Sequence, residues 1–249
     1  MREKVNATKV NQYVEVASVG YRLMHLLNLV LITLLAITGS MLLFPNIMNW
    51  LSYAMGVSMA VSGLGTPYPV SAGLELARSL HRFFGMIWGI SFIIYGVYLL
   101  AFRKVRLFDA LKHPLSQQMR EARALFEMYV FGKPIPEDVA KNLERHNVLV
   151  AYMSLILIIG LVFLSISGVL MVYREFLDIT AAEYRVLLLL HDIGFYLVLL
   201  FLYVHLYASF HPANRPLLTA MFSDGKVALE WVKEHMAGWY QKYVERGDY

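Results

Sequence analysis

The stretch from Val186 to Ser209 most constrains what this chain can fold into, because it reads VLLLLHDIGFYLVLLFLYVHLYAS. A run of about 20 apolar residues is long enough to cross a bilayer as one helix, so we predict a membrane span here. Its two histidines, His191 and His205, stand fourteen positions apart. On a helix this spacing puts them within about 40° of one face and about 21 Å apart along the axis. An imidazole inside a membrane is costly without a partner, so we predict two functional sites at different depths.

Composition extends the membrane interpretation to the whole chain. Of its 249 residues, 58% are hydrophobic and only 16% are charged, whereas a soluble domain carries about 25% charged residues. We predict a single all-α transmembrane domain over residues 1–249, an integral membrane four-helix bundle that ends in an amphipathic surface helix around Gly225–Tyr243. The apolar blocks place the four spans at about residues 23–44, 81–102, 148–173 and 186–209.

The distribution of Lys and Arg predicts the orientation of these spans. Four precede the first span, nine lie between the second and third, and five lie in the tail, whereas the other two connections share four. Because basic residues accumulate on the cytoplasmic side, we predict that both termini are cytoplasmic, in the cell inner membrane. A fifth span at Ile47–Val61 would place the nine-charge segment outside, and this stretch is short for a crossing. We expect it to be an interfacial or partner-docking segment on the outer face.

Four histidines fall into two pairs at matching depths in this topology. His81 opens the second span at the outer side, at the depth of His191, and His25 opens the first span at the inner side, at the depth of His205. Two bis-histidine pairs at two levels are typical of two b-type haems stacked across a membrane. With both axial positions occupied, such haems carry electrons and do not bind substrate. The chain has no cysteine, which excludes thiolate iron–sulfur ligation and covalent c-type haem attachment.

The other polar residues receive more ordinary interpretations. Asp192 points about 100° away from His191 around the helix, and we interpret it as a polar contact at the outer surface. Arg22 and Arg82 stand beside two of the ligand histidines and could pair with haem propionates, although snorkelling to the interface is equally consistent with their positions. We expect the remaining histidines, which lie in polar segments, to be solvated; they are His113, His146, His211 and His235. Zinc is the alternative for clustered histidines, but cysteine ligands and intramembrane carboxylates in ligand positions are missing.

The chain resembles the cytochrome b (gamma) subunit of membrane-bound formate dehydrogenases. The histidines of spans one, two and four match the wider superfamily, which includes the cytochrome b subunits of nickel–iron hydrogenases and bacterial cytochrome b561. The tail AMFSDGKVALEWVKEHMAGWY is similar to the terminal motif of the formate dehydrogenase branch. The segment ERHN before span three resembles the Lys-Tyr-Asn that opens a quinone-site motif, although Val148–Val150 replace the family's Ala-Gly-Gln.

This resemblance implies an electron-transfer subunit of a respiratory complex. Its partners would be an iron–sulfur subunit and a large catalytic subunit, besides quinone and the lipid bilayer, with no nucleic acid. Electrons would enter at the outer haem and leave at the inner one, where menaquinone or ubiquinone would be reduced. We assign the quinone site to Asn147, with His205 at the same depth and His146 as a nearby proton donor. The alternative role of Asn147 is to cap the third helix.

Three other functions remain open at this point. A nickel–iron hydrogenase cytochrome b would share the fold, the haems and the quinone, and would differ only in its partner. A stand-alone cytochrome b561-type oxidoreductase would act as an enzyme in its own right, although the long inner segment and the tail argue against it. A non-haem membrane scaffold or transporter lacks support, because the internal repeats typical of transporters are missing.

Overall fold

The computed structural model of the protein describes residues 13–102 and 106–247. Within these residues, four helices are long and apolar enough to cross a membrane, which confirms the predicted all-α membrane fold with four spans. Arg2, Lys4, Lys9, Arg103 and Lys104, which contribute to the predicted charge bias, lie outside the described residues. The helices and strands are β1 (Tyr13–Glu15), α1 (Val19–Leu43), α2 (Asn49–Ser62), α3 (Pro69–Phe102), α4 (Leu115–Phe131), α5 (Glu137–Ala140), α6 (Val148–Val172), α7 (Ala181–Phe210), α8 (Arg215–Phe222), β2 (Lys226–Ala228), α9 (Leu229–His235) and α10 (Ala237–Trp239).

The spans α1, α3 and α7 begin earlier than the hydrophobic pattern predicts. At α7, the amide of Thr180 donates to the carboxylate of Glu183 over 2.8 Å, and the amide of Glu183 donates to the Thr180 hydroxyl over 3.3 Å. This reciprocal pair is a capping box, which satisfies amides that lack a partner within the helix. At α3, Pro69 stands at the first helical position, where its fixed φ favours helix entry. His81 therefore lies twelve residues inside α3 instead of opening the helix.

The Ile47–Val61 segment forms a helix that packs on the start of α3. A Cβ on Gly56 would come within 1.9 Å of the Pro69 carbonyl oxygen, and a Cβ on Gly73 within 1.8 Å of the Ser52 carbonyl oxygen. The two backbones approach this closely only because both glycines lack a side chain. α2 has 14 residues, which is too short for a bilayer crossing. This agrees with the prediction that the segment does not span.

The segment between α3 and α6 folds into its own small core. A 3₁₀ turn at Asp109–Lys112 precedes α4, and α5 follows it. Their buried apolar side chains pack together with the first residue of α6, Val148. α4 ends at Gly132, whose φ of 66° is left-handed, a conformation that favours glycine. The buried core side chains are Ala110, Ala124, Leu125, Val139, Leu143 and Val148.

The tail is not the single amphipathic helix that the sequence predicts. Gly225, whose φ of 81° is left-handed, lies between α8 and β2. β2 pairs antiparallel with β1. The chain continues through α9, α10 and a π-helical turn at Tyr240–Val244, and the helix breaks at Met236, whose φ of −141° and ψ of 42° are not helical. Buried apolar side chains of the strands and the tail instead pack into one core: Val14, Val16, Ala220, Val227, Val232, Met236 and Trp239.

The chain divides into two compact units, and each holds two of the four candidate histidines. One comprises Met1–Arg22, Val105–Leu164 and Leu190–Tyr249, and so contains His191 and His205. The other comprises Leu23–Lys104 and Ser165–Leu189, and contains His25 and His81. Between 6% and 17% of the most apolar part of each span is buried within the chain. The rest of this apolar part lies on the surface of the chain.

Candidate cofactor sites

His81 is oriented by a hydrogen bond from α1. Its Nδ1 lies 2.9 Å from the hydroxyl oxygen of Thr38, which is almost fully buried. The Thr38 hydroxyl donates its own hydrogen to the Leu34 carbonyl oxygen, over 2.8 Å. With its hydrogen directed to Leu34, the hydroxyl can accept from Nδ1–H of His81, which leaves the lone pair on Nε2. A metal-binding histidine typically donates its other ring nitrogen in this way, which sets its tautomer and its orientation.

The same contact is close because Gly39 has no side chain. A Cβ at Gly39 would lie 3.2 Å from Cε1 of His81, a distance tighter than ordinary van der Waals contact. The ring of His81 thus rests against the α1 backbone, and small residues let helices approach in membranes. Thr38 thus forms a hydrogen bond with the His81 ring, and the backbone at Gly39 restricts its position by van der Waals contact.

A second hydrogen bond between α1 and α3 shows how far apart His25 and His81 lie along the helix axes. The indole of Trp88 donates to the side-chain oxygen of Asn28 over 2.8 Å, and the Asn28 amide donates to the Met24 carbonyl over 2.9 Å. α1 and α3 are therefore antiparallel, with Asn28 beside Trp88 and Thr38 beside His81. His25 precedes Thr38 by thirteen residues, which is about 20 Å along the helix. His25 and His81 are accordingly separated by about this distance in depth.

His191 lies on α7, where that helix approaches α6 most closely. A Cβ on Gly194 would lie 2.9 Å from the Gly160 carbonyl oxygen, and one on Gly160 would lie 3.1 Å from the Gly194 carbonyl oxygen. One turn from Gly194, the ring of His191 donates a hydrogen bond to the main-chain carbonyl of Leu164. As at His81, a donor bond from one ring nitrogen fits an imidazole whose other nitrogen binds metal.

His205 lies on the same unbroken helix as His191, as the sequence predicts. α7 runs from Ala181 to Phe210, so the fourteen-residue spacing corresponds to about 21 Å along one helix. The ring of His205 stacks on Phe201, with centroids 5.3 Å apart and planes 11° apart. His205 and His25 are both half-buried. The pairings His81 with His191 and His25 with His205 involve the two different units and remain predictions.

The environments of these histidines suit haem ligation better than they suit a metal ion held by several side chains together. Among the residues that the structure describes, no group of three or more His, Cys, Asp or Glu side chains could hold a metal ion. Single imidazoles set far apart and oriented by second hydrogen bonds are instead what axial ligation of haem iron needs. The geometry of His81 and His191 meets this requirement.

Asn147 caps α6, which is the alternative role that the sequence leaves open. Its side-chain oxygen accepts a hydrogen bond from the amide of Val150 over 3.1 Å, and its carbonyl accepts from Ala151 over 2.9 Å. Capping uses the oxygen of the amide and not its nitrogen. Within the described part of the chain, the nitrogen of this side chain forms no hydrogen bond, so capping leaves a donor for a ligand.

Arg22 and Arg82, which lie near two candidate haem ligands, differ in their surroundings. Arg22 donates through its guanidinium to the Ser223 carbonyl of the tail. Arg82 is exposed, and within residues 13–102 and 106–247 it takes part in no ion pair. The proposed pairing of either residue with a haem propionate remains a prediction.

The four histidines expected to be solvated are all partly buried, so that expectation was wrong. His235 stacks on Trp231 at 4.4 Å, and His211 lies edge-on to Tyr129 at 5.0 Å. Burial lowers the pKa of His146 to about 4, helped by the charge of neighbouring Arg145. His146 is therefore neutral at pH 7, which is unfavourable for the proton-donor role expected of it.

A cluster of ionisable residues at the start of α6 was not predicted from the sequence. Glu121 and Glu144 are almost fully buried, and His113 lies between them. Glu121 is on α4, and its side chain accepts a hydrogen bond from the amide of Val148 over 2.8 Å. The sequence signal was weak, because each carboxylate stands among charged residues of a polar segment and resembles a solvated position.

Comparison with known proteins agrees with this architecture. A profile of the prokaryotic cytochrome b561 family matches residues 16–224. Curated relatives include the cytochrome b556(fdo) subunits of formate dehydrogenase from Escherichia coli strain K12, E. coli O6:H1 and E. coli O157:H7, each 27% identical over 206 residues, or 79% of this chain and 89% of the relative. These relatives confirm the resemblance to the formate dehydrogenase branch. The chain belongs to the prokaryotic cytochrome b561 family, and is an integral membrane cytochrome b, a b-haem protein of electron transfer.

Proposed function

We propose that this chain is the membrane-anchoring di-haem subunit of a respiratory oxidoreductase complex, and that it passes electrons from an iron–sulfur subunit to quinone. The proposal rests on one observation, which is that the two candidate histidines of each unit are separated by a similar distance in depth. His25 and His81 are about 20 Å apart in depth in one unit, and His191 and His205 about 21 Å in the other. Equal offsets support two stacked bis-histidine sites.

Four histidines would hold the two haems, His81 with His191 at the outer level and His25 with His205 at the inner level. When bound, b haems supply reversible one-electron transfer. The chain's own contribution is orientation: Thr38 holds the tautomer of His81, and the Leu164 carbonyl holds the ring of His191. A pair of histidines at each haem would suit electron transfer rather than substrate binding.

The quinone, menaquinone or ubiquinone, would bind at the start of α6. The side-chain nitrogen of Asn147 would donate to a quinone carbonyl while its oxygen keeps the cap to Val150. His205 would lie at the same depth on α7. The basic residues around this end support a cytoplasmic location for it, with both termini inside and the chain in the inner membrane. Donor oxidation would take place on the partner subunits, as the names of the relatives suggest.

Replacement of each histidine by alanine tests the haem assignment. We expect two b haems per chain by pyridine haemochrome assay. His81→Ala and His191→Ala should remove the same haem, and His25→Ala and His205→Ala should remove the other, as followed by optical redox titration. Loss of the same haem in His25→Ala and His191→Ala would refute the pairing, and a wild-type content of fewer than two haems would refute the di-haem assignment.

Purification of the intact complex tests the partners. We expect an iron–sulfur subunit and a large subunit that contains molybdenum or tungsten to copurify with the chain. Nickel in the large subunit would instead identify a hydrogenase complex. A chain that purifies alone from mild detergent, fully loaded with haem, would contradict the proposal and favour a stand-alone oxidoreductase.

A further inference from the structure

Two buried carboxylates flank His113 at the end of the molecule where α6 begins. Nδ1 of His113 lies 4.0 Å from Oε2 of Glu121, and its Nε2 lies 3.8 Å from Oε1 of Glu144. Both glutamate side chains are only 2% exposed, and that of His113 is 15% exposed. Burial of two carboxylates side by side is costly unless each finds a charge or hydrogen-bond partner. Both carboxylates have such partners, and we call this arrangement the Glu121–His113–Glu144 cluster.

The cluster connects the surface of the protein to the start of the third span. At one end, Lys242 of the tail contacts the carboxylate of Glu144, and its side chain is 49% exposed. At the other end, the carboxylate of Glu121 accepts from the amide of Val148 over 2.8 Å, one peptide bond from Asn147. Protonatable groups therefore line up from water to the residue to which we assign the quinone.

The groups around the cluster favour proton exchange at Glu121. Burial raises the pKa of Glu121, and the negative charge of Glu144 adds to this rise, while the hydrogen bond from Val148 opposes it. The imidazole of His113 has one ring nitrogen towards each carboxylate, so it can accept a proton at one nitrogen and release a proton from the other. The other charged or titratable groups nearby are Asp109, Lys112, Arg145, His146, Lys242 and Tyr243.

We propose that the Glu121–His113–Glu144 cluster is the proton-uptake relay for quinone reduction at the start of α6. The inference rests on the proposed quinone site. Reduction of a quinone to a quinol takes two electrons, which the haems of the complex supply, and two protons. For each proton, the O–H bond of the Glu121 carboxylic acid breaks and an O–H bond forms at a quinone oxygen. Glu121 is then reprotonated by His113, and His113 by Glu144, after side-chain movements that bring the 4.0 Å and 3.8 Å separations within hydrogen-bond distance. Glu144 in turn exchanges protons with water beside Lys242.

A purely structural role is the competing explanation. A carboxylate near the first amides of a helix is favoured by the helix dipole, so Glu121 would stabilise α6 whether or not it carries protons. A substitution that keeps the hydrogen bond but removes the acidic proton distinguishes the structural role from proton transfer. A glutamine at this position keeps an oxygen that accepts from Val148, but it cannot bind and release a proton.

The test compares Glu121→Gln with Glu127→Gln in the purified complex. Glu127 lies on the same helix, is 27% exposed, and pairs with Arg123 and Lys133 at the surface. We expect Glu121→Gln to keep both haems and their rate of reduction by the donor, while quinone reduction falls by about tenfold or more, within the range of general acid–base effects. Its solvent deuterium isotope effect should rise, and Glu121→Asp should recover part of the rate. Glu127→Gln should behave as wild type.

A spectroscopic measurement gives a second readout that does not need turnover. In infrared difference spectra of the complex between its oxidised and reduced states, the wild type should show the carbonyl stretch of a protonated carboxylic acid, and Glu121→Gln should lack that band. A wild-type quinone rate in Glu121→Gln, or a band that persists in it, would overturn the relay. A wild-type complex that reduces its haems but no quinone would instead overturn the proposed function.

Discussion

Thr38 and His81 form the hydrogen bond that joins α1 to α3, with 2.9 Å between the threonine hydroxyl oxygen and Nδ1 of the histidine. The threonine hydroxyl also lies 2.8 Å from the Leu34 carbonyl oxygen, so it can donate there and accept from the histidine. One buried hydroxyl thus orients a candidate haem ligand and, together with Asn28 and Trp88, joins the two spans.

Thr38→Val should weaken the outer haem site, because valine keeps the shape of threonine and removes the acceptor for His81. Loss of such an outer-shell partner typically costs about 10- to 100-fold in metal affinity. We expect partial loss of one haem, or a shift in its midpoint potential, in optical redox titrations, with the other haem unaffected. Thr38→Ser keeps the hydroxyl and should restore the wild-type titration. An unchanged titration in Thr38→Val would show that this hydrogen bond does not support the site.

Gly194→Val should disrupt the contact between α6 and α7. The first added atom would lie 2.9 Å from the Gly160 carbonyl oxygen, and overpacking of this kind costs about 1–3 kcal/mol. Since His191 is one turn away and bonds Leu164 on α6, we expect lower haem content and a lower melting temperature in detergent. Gly89→Val is the matched control, because a Cβ there meets nothing within 4 Å. Equal behaviour of the two variants would contradict the close contact.

Asn147→Ser and Asn147→Asp separate quinone binding from helix capping. Both residues retain capping ability, and both lose the amide nitrogen that we expect to donate to the quinone. Quinone reduction should fall by about tenfold, roughly 1.4 kcal/mol, with haem content and assembly intact. Unchanged turnover in a fully haem-loaded variant would move the quinone away from the start of α6.

Stability should fall as the pH drops below the ordinary pKa of histidine, because of His146. Burial lowers its pKa in the folded protein to about 4, so between pH 6.5 and 4 the unfolded chain binds more protons than the folded one. The free energy of unfolding then rises with pH over this window. The full effect is about 3 kcal/mol, because the pKa falls from 6.5 to about 4 and each pKa unit corresponds to about 1.4 kcal/mol.

Thermal unfolding of the His146→Gln variant at several pH values measures this effect. The variant cannot take up the proton, so its melting temperature in detergent should depend less on pH between 4 and 6.5 than that of the wild type. His235→Gln, which changes a partly buried histidine stacked on Trp231, is the matched control. A parallel pH dependence in wild type and His146→Gln would contradict the assignment.

The membrane spans and the histidine spacing were predictable from the sequence, and the reason is local. In lipid, backbone hydrogen bonds must be satisfied within the segment, so an apolar run of this length becomes a helix. Helix geometry then converts fourteen residues between His191 and His205 into about 21 Å without any tertiary contact. The start of α7 at Thr180 and Glu183 was also encoded locally, in a capping box.

Contacts between residues far apart in the chain were decided only by the tertiary structure. The apolar pattern around Trp239 favours one continuous helix. The tail is instead divided into short elements, because β2 pairs with β1 and the amide of Gly238 donates to the Leu143 carbonyl over 3.0 Å. Likewise, nothing next to Glu121 in sequence indicates that it meets the amide of Val148, twenty-seven positions away. Periodicity reports which face of a segment is apolar, whereas burial and pKa depend on what other segments bring to that face.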